Sequence, residues 1–402
     1  EPAGLFGAGV GSTVEEGDEA WVVADMDLVN LEELRALAGS RLPDHGLLTT
    51  LYRLEGPRFV RRLRGAFALA LWDRRQHQLL LAVDHFGIRR LHYTTDRREI
   101  AFASRLGALL GAPGIMPTVA PRAVYCYLNF GFVPAPETPF EGIRRLPPGH
   151  LLLVREGYRK REPFWDMAYH EVVTPEAEAA SRLSRSTEQA VSNALSGIAA
   201  RDVGAFLSGG TDSSTVVGLM TGITGERVSA FSIGFQEDRY DELQYAELVA
   251  RHFGAVHHTR IVTPEDALAV LPRLVEAYDE PFGNNSAVGT FFCAQLAREC
   301  GARQLLAGDG GDEIFGGNER YRTDRIFARY GRLPAVLRRG LLEPVLLSLP
   351  HGTPGLLGRA QRYIRRAKIP NPRRFYSYEF YVTQNAHELL ALDFLRAMDV
   401  DA

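Results

Sequence analysis

The sequence predicts two domains, a layered α+β domain with antiparallel sheets followed by an α/β domain with a parallel sheet. Three observations carry this. From about Ala20 to Leu110, short apolar or alternating runs are separated by polar turns. After about Glu188 the order becomes apolar strand, polar loop, helix, repeated. Between them, GAPGIMPTVAP, VPAPETPF and RLPPGH concentrate proline, which punctuates regular structure rather than building it. The expected organisation is therefore a first domain at 1–112, a connecting region at 113–180 and a second domain at 181–402.

In the first domain EAWVVADM, GAFALALWD, QLLLAVD, LHYTTD and EIAFAS read as strands, and LEELRALAG and LLTTLYRLEGPRFVRRL as helices. The connecting region holds one helix, RAVYCYLNFG, and one strand, GHLLLVREG. In the second domain DVGAFL leads through SGGTDSS into STVVGLMTGI, VSAFSIGF leads into QEDRYDELQYAELVARHFG, and RQLLAG leads into DGGDEIFGG. From about Tyr321 to Ala402 the chain is Arg- and Leu-rich with helical spacing.

At 402 residues, 46% hydrophobic and 24% charged, the composition is that of a soluble protein whose domains bury cores without staples. A net charge of -3 gives no general reason to bind nucleic acid or an anionic membrane. No run of about 18 apolar residues exists and the start, EPAG, is not a signal peptide, so the cytoplasm is expected. The three cysteines, Cys126, Cys293 and Cys300, form no C-x-x-C pair, which argues against disulfides and structural zinc. Cys293 and Cys300, seven apart in FFCAQLAREC, are expected on one helix face in the core. His257 and His258, adjacent in a strand, point to opposite faces and read as structural. The chain starts at Glu1 and ends in FLRAMDVDA, so a fragment of a longer protein is expected.

In a parallel sheet, ligands sit beyond the carboxyl ends of the strands. SGGTDSS has the parts of an anion cradle there. Gly209 and Gly210 let backbone N–H groups approach a ligand, Ser208, Ser213 and Ser214 add hydroxyls, and the next helix offers its N-terminus. No lysine follows, which disfavours a Walker-type site. Asp212 fits an anion site only if a cation bridges it to phosphates, as Mg²⁺ does. Alone, the loop is equally a strand-to-helix turn with an Asp or Ser cap. AGDGGDEIFGGNERY adds Asp309, Asp312 and Glu313 among glycines, a metal-phosphate composition rather than a core one. The EF-hand pattern fails, because the twelfth position from Asp309 is Arg320.

FLSGGTDSS, AFSIGF, YDEPFGNNSAVGTFFCAQLARE and GDGGDEIFGGNERY, in this order, closely resemble the synthetase domain of glutamine-dependent asparagine synthetases. RGAFALALWD, AVDHFGIRRLHYT, IAFASRLGALL and FGFVPAPETPFEGIRRLPPGH resemble the amidotransferase domain and linker of the same family. The resemblance implies a class II amidotransferase-like antiparallel sandwich followed by a parallel-sheet ATP pyrophosphatase domain of the adenine nucleotide alpha hydrolase type. It implies ATP and Mg²⁺ as cofactors, and activation of a carboxylate on a small molecule or peptide as an acyl-adenylate. Ammonia, glutamine-derived or free, or a substrate amine then attacks. By position, Ser208, Gly209, Gly210, Asp212 and Ser213 would hold pyrophosphate, and Leu207, Ile233 and Gly308 would line the adenosine side. Asp212 and Asp312 would bind Mg²⁺, and Asp309 would orient or deprotonate the amine.

Two departures stand out. Where relatives carry a glutamine-binding Asn-Gly pair, this chain has Ala24-Asp25, and Arg64 stands where an acid is expected. Relatives are expected to carry a catalytic lysine beyond the region where this chain stops; Lys368 lies in a context that does not match and reads as a surface lysine. The expected first domain is therefore degenerate and structural, with the amine supplied by the substrate, as in β-lactam and lasso-peptide macrolactam synthetases. The rivals are a glutamine-fed asparagine synthetase and a non-catalytic ATP-binding protein. A tRNA-thiolating pyrophosphatase shares the loop but needs a basic RNA surface and reactive cysteines that the charge and cysteine positions do not provide.

Overall fold

The computed structural model describes residues 12–16, 19–39, 46–94, 100–156, 158–170, 172–236, 242–350, 353–370, 374 and 389–398. The expected strands of the first domain form as read. β1 (Ser12–Glu16), β2 (Ala20–Leu28), β3 (Gly65–Asp73) and β4 (Gln78–Val83) pair antiparallel in that order. β5 (His92–Thr94), β6 (Phe102–Ala103) and β7 (Ile143–Arg145) make a second antiparallel sheet in the order β6-β5-β7. Residues 1–11 and 95–99, at the edges of these strands, lie outside the described residues.

Strand side chains alternate between faces, so one six-stranded sheet feeds two cores. Val22, Phe67, Leu69, Leu71 and Leu80 bury against α2 (Leu47–Glu55) and the short helix after it, through Leu47, Leu48, Leu51 and Phe59. Ala68, Leu79, Leu81 and Val83 face the other way, onto Leu91, which precedes β5, and onto Tyr93 and Phe102 of the smaller sheet. The domain is a helix layer and two sheets. Asp84, fully buried, ties the turn after β4 by accepting N–H bonds from Phe67, Phe86, Ile88 and Arg89.

The proline-rich stretch does more than connect. β8 (His150–Arg155) and β9 (Tyr158–Pro163) extend the large sheet to the order β1-β2-β3-β4-β8-β9. The helix read at RAVYCYLNFG is α4 (Pro121–Phe130), started by proline and ended by Gly131 at φ 75.

The second domain is a parallel sheet in the order β12-β11-β10-β13, from β10 (Val203–Phe206), β11 (Ser229–Phe235), β12 (Val256–Val262) and β13 (Gln304–Leu306). Val191 of α5 (Glu176–Leu195), Val217 and Met220 of α6 (Thr211–Thr224), and Ala246 and Ala250 of α7 (Leu243–Phe253) cover one face. α8 (Pro264–Tyr278) and α9 (Ser286–Glu299) cover the other through Leu274, Phe292, Cys293 and Ala297. The two-domain class read from the sequence is the observed one.

Cys300 departs from expectation. α9 ends at Glu299, Cys300 follows it as the exposed cap, and only Cys293 is core. Lys368 is not simply solvated: its Nζ lies 3.1 Å from Glu343, which also accepts the Tyr330 hydroxyl.

Candidate functional site

From β10 the chain steps to β11 and then β12 on one side, while β13 lies on the other side of β10. This reversal opens a crevice beyond the strand ends at β10 and β13. SGGTDSS follows β10 and GDGGDE follows β13, so both acidic, glycine-rich loops arrive at that crevice. They line a cavity of about 1020 Å³ that contains Leu207, Ser208, Gly210, Asp212, Ser213, Ile233, Gly308, Asp309 and Asp312.

The first loop is braced from within. The Ser213 hydroxyl accepts from the Ser208 N–H at 3.2 Å and lies 3.1 Å from the Ser208 hydroxyl. Ser208 Oγ in turn accepts the Gly210 N–H at 3.3 Å. α6 then starts at Thr211 without a side-chain cap, which leaves its first-turn N–H groups turned to the crevice end of the helix. Ser214 turns its hydroxyl back to the Gly210 carbonyl at 2.6 Å and does not line the cavity, and neither does Gly209. At Gly209 φ is +85, and a β-carbon there would lie 2.5 Å from Tyr245 Cβ and 2.6 Å from the Ala246 nitrogen. It lets the loop pass tightly under α7 rather than lining the cavity.

The two loops touch. A β-carbon on Gly308 would lie 2.8 Å from Asp212 Cβ, and one on Gly311 would collide with the Asp212 carboxylate. Gly317 closes on Asp312 Oδ1 in the same way. Glycine at these positions lets the Asp212 and Asp312 carboxylates reach one cavity from opposite loops. Among the described residues no cluster of three or more His, Cys, Asp or Glu side chains forms a metal cage. A hard cation here would find two carboxylates and complete its shell with phosphate oxygens or water.

Several lining residues carry weaker sequence signals. Ser232 sits in an apolar strand, yet its buried hydroxyl donates to the Leu207 carbonyl at 2.6 Å and lies 2.7 Å from His257 Nε2. It fixes the carboxyl end of β10 to β11, and burial lowers the His257 pKa. His258 stacks on Phe231 at 5.0 Å, so neither histidine is available as a ligand pair. Asn285, Ser286, Thr290 and Cys293 add a wall from α9. Burial pushes the Cys293 thiol up to about 12, which removes it as a nucleophile. In the loop between β11 and α7, residues 237–241 lie outside the described residues.

In the first domain Ala24 is fully buried in the core beneath the sheet. The neighbouring Asp25 carboxylate faces Arg89 Nε at 3.4 Å. The Arg64 guanidinium is mostly exposed and lies 3.9 Å from Glu33.

A family model described as asparagine synthase matches residues 182–401, and one described as a glutamine amidotransferase domain matches residues 14–165. "Asparagine synthetase [glutamine-hydrolyzing] 1" of Bacillus subtilis (strain 168) is 29% identical over 370 residues, covering 88% of this chain and 57% of that protein. A "putative asparagine synthetase [glutamine-hydrolyzing]" of Mycobacterium tuberculosis is 32% identical over 362 residues, covering 86% and 54%. "Amidase chry2" of Gibberella zeae is 27% identical over 312 residues, covering 73% and 46%. The chain thus spans about half the length of the curated relatives it matches. A solved glutamine phosphoribosylpyrophosphate amidotransferase from B. subtilis aligns over 74% of this chain and 72% of its own at 14% identity. Its TM-score of 0.28 carries no argument. With a family model spanning more than half of its residues, the chain belongs to the asparagine synthase family.

Proposed function

We propose that the protein is an ATP-dependent amide-forming ligase that activates a carboxylate as an acyl-adenylate, releasing pyrophosphate, before an amine or ammonia attacks. The observation that carries this reading is the meeting of a braced Ser-Gly loop that bears Asp212 with the loop after β13 that bears Asp309 and Asp312, in one crevice at the strand-order reversal. Ser208, Gly210 and Ser213, with the first turn of α6, hold the phosphate end of the nucleotide, while Gly209 shapes the loop. Leu207, Ile233 and Gly308 line its adenosine side. Asp212 and Asp312 are the protein ligands of Mg²⁺, which when bound neutralises charge on the leaving pyrophosphate. Fixed N–H donors stabilise the same charge as it develops. Asp309, exposed on the cavity wall, orients the amine or takes its proton. ATP supply makes the cytoplasm the natural setting.

The source of the amine has two readings. The amidotransferase match at residues 14–165 favours glutamine. The Ala24-Asp25 departure, with the Asp25 carboxylate already facing Arg89, favours a substrate amine and a structural first domain. ATP–pyrophosphate exchange with Mg²⁺, measured with aspartate and with peptide carboxylates, tests the ligase and its substrate class. No exchange with any carboxylate, from protein that binds Mg-ATP, would leave only an ATP-binding protein. Glutamate release from glutamine by the full-length protein would eliminate the structural first domain.

A further inference from the structure

The first domain closes on one end of α8 and the segment that follows. Arg105 donates to the Glu276 carbonyl at 2.7 Å and Arg90 to the Tyr278 carbonyl at 3.2 Å. Carbonyls at a helix C-terminus lack intrahelical partners and carry partial negative charge, so these two arginines cap α8 from another domain. Asp279 ends the helix at φ 60, and its carboxylate accepts the N–H groups of Leu106, and of Gly107 at 2.9 Å. Those groups begin the short helix α3 (Leu106–Leu110), which has no cap of its own. Asp279 thus satisfies N–H groups that the first domain leaves open, and Arg105 and Arg90 cover carbonyls at the end of α8, where Tyr278 also accepts the Glu280 N–H at 2.7 Å.

Glu280 is the buried centre of this contact, its side chain 6% exposed. Arg145 pairs with it directly, Arg90 lies 3.5 Å away and His92, itself buried, 3.6 Å away. Burial raises the Glu280 pKa, but His92, Arg145 and Arg90 outweigh it and hold the carboxyl below its usual range. Three residues on, the Gly283 N–H donates to the Gly131 carbonyl at 2.7 Å, and a β-carbon on Gly283 would lie 3.0 Å from Gly131 Cα. Two residues further the chain enters the cavity: Asn285, Ser286, Gly289 and Thr290 line it, whereas Arg90, His92, Arg105 and Arg145 do not.

We propose that the first domain positions the cavity wall formed by the start of α9, with Glu280 as the positioning residue held by Arg145, Arg90 and His92. The identity of the ligand in that cavity rests on the reading above. The first domain then serves the ligase site mechanically, whether or not it hydrolyses glutamine.

The test compares the unaltered full chain with Glu280→Gln and Arg105→Gln. Hydrogen–deuterium exchange is read at residues 284–290 without nucleotide, and Mg-ATP affinity by titration. Expected for Glu280→Gln is exchange faster by about tenfold at 284–290 with 204–214 unchanged. The Mg-ATP dissociation constant should rise by about tenfold with the number of sites unchanged. A purely structural role would lower the number of folded sites and leave the constant alone. Arg105 is exposed, so Arg105→Gln folds more readily, shows the same direction and carries the test if Glu280→Gln does not fold. Unchanged exchange at 284–290, or faster exchange with an unchanged constant, overturns the proposal. Failure of the unaltered chain to bind Mg-ATP sinks the nucleotide reading, and the exchange result still decides the clamp.

Discussion

Asp212, in the first turn of α6, packs its carboxylate so closely over Gly311 that no β-carbon fits between them. The contact joins the loop after β10 to the loop after β13 through one side chain and one missing side chain. Gly311→Ala should therefore lower stability by about 1–3 kcal/mol, the usual cost of overpacking. Gly222, inside α6 with nothing within 4 Å of its would-be β-carbon, is the control: Gly222→Ala should be neutral or stabilising by up to about 1 kcal/mol. Denaturant melts of the two variants check this pair.

Asp212→Asn and Asp312→Asn should each leave the fold intact and lower Mg²⁺-dependent ATP–pyrophosphate exchange by about a hundredfold or more, since each removes a ligand of the cation that would offset charge on the leaving group. Asp309→Asn should spare exchange and depress amide formation, because its proposed role begins after activation. Equal loss in both assays would remove Asp309 from the amine step.

Much of this site was legible because glycine and acid clusters after apolar strands have few structural uses. Gly308, Asp309 and Asp312 stood out for that reason, and all three line the cavity. Ser232 did not, because one hydroxyl in VSAFSIGF says nothing of the Leu207 carbonyl that it meets across the sheet. β8 is legible as a strand in GHLLLVREG but its place in the large sheet is not, because its partner β4 lies some seventy residues earlier and no local pattern reports such a pairing; the charged run YRKREP gives no strand signal for β9. Cys300 was misread because spacing along a helix tells nothing of where the helix stops.

Acid should weaken the fold through His257. Burial lowers its folded pKa, so the unfolded chain binds the proton more readily and falling pH favours unfolding. The loss begins as pH drops through about 6.5, the unfolded value, and is complete below the folded one. Melting temperatures at pH 7.5 and 5.5 should differ less in His257→Gln than in the unaltered chain. Ser232→Ala should also cost about 1–3 kcal/mol at either pH, by leaving the buried Leu207 carbonyl without its donor.

Cys293 of α9 and Cys300 just beyond its end should separate under alkylation. Cys300 is exposed, whereas Cys293 is buried and its thiol is held protonated. Iodoacetamide at pH 8 followed by peptide mass spectrometry should find Cys300 modified first. Prior saturation with Mg-ATP should leave the Cys300 rate unchanged, because Cys300 does not line the cavity.

Gly308, Gly311 and Gly317 leave no spare volume around Asp212 and Asp312. One side of the crevice is therefore closed to variation: any residue larger than glycine there displaces a carboxylate. A chain that acquires a new acceptor or donor molecule must remodel the opposite wall, at Asn285, Ser286, Gly289 and Thr290, where the glycine meets nothing within 4 Å. Directed evolution toward unnatural amides should accordingly accumulate its changes along the start of α9 and leave the acidic loops untouched.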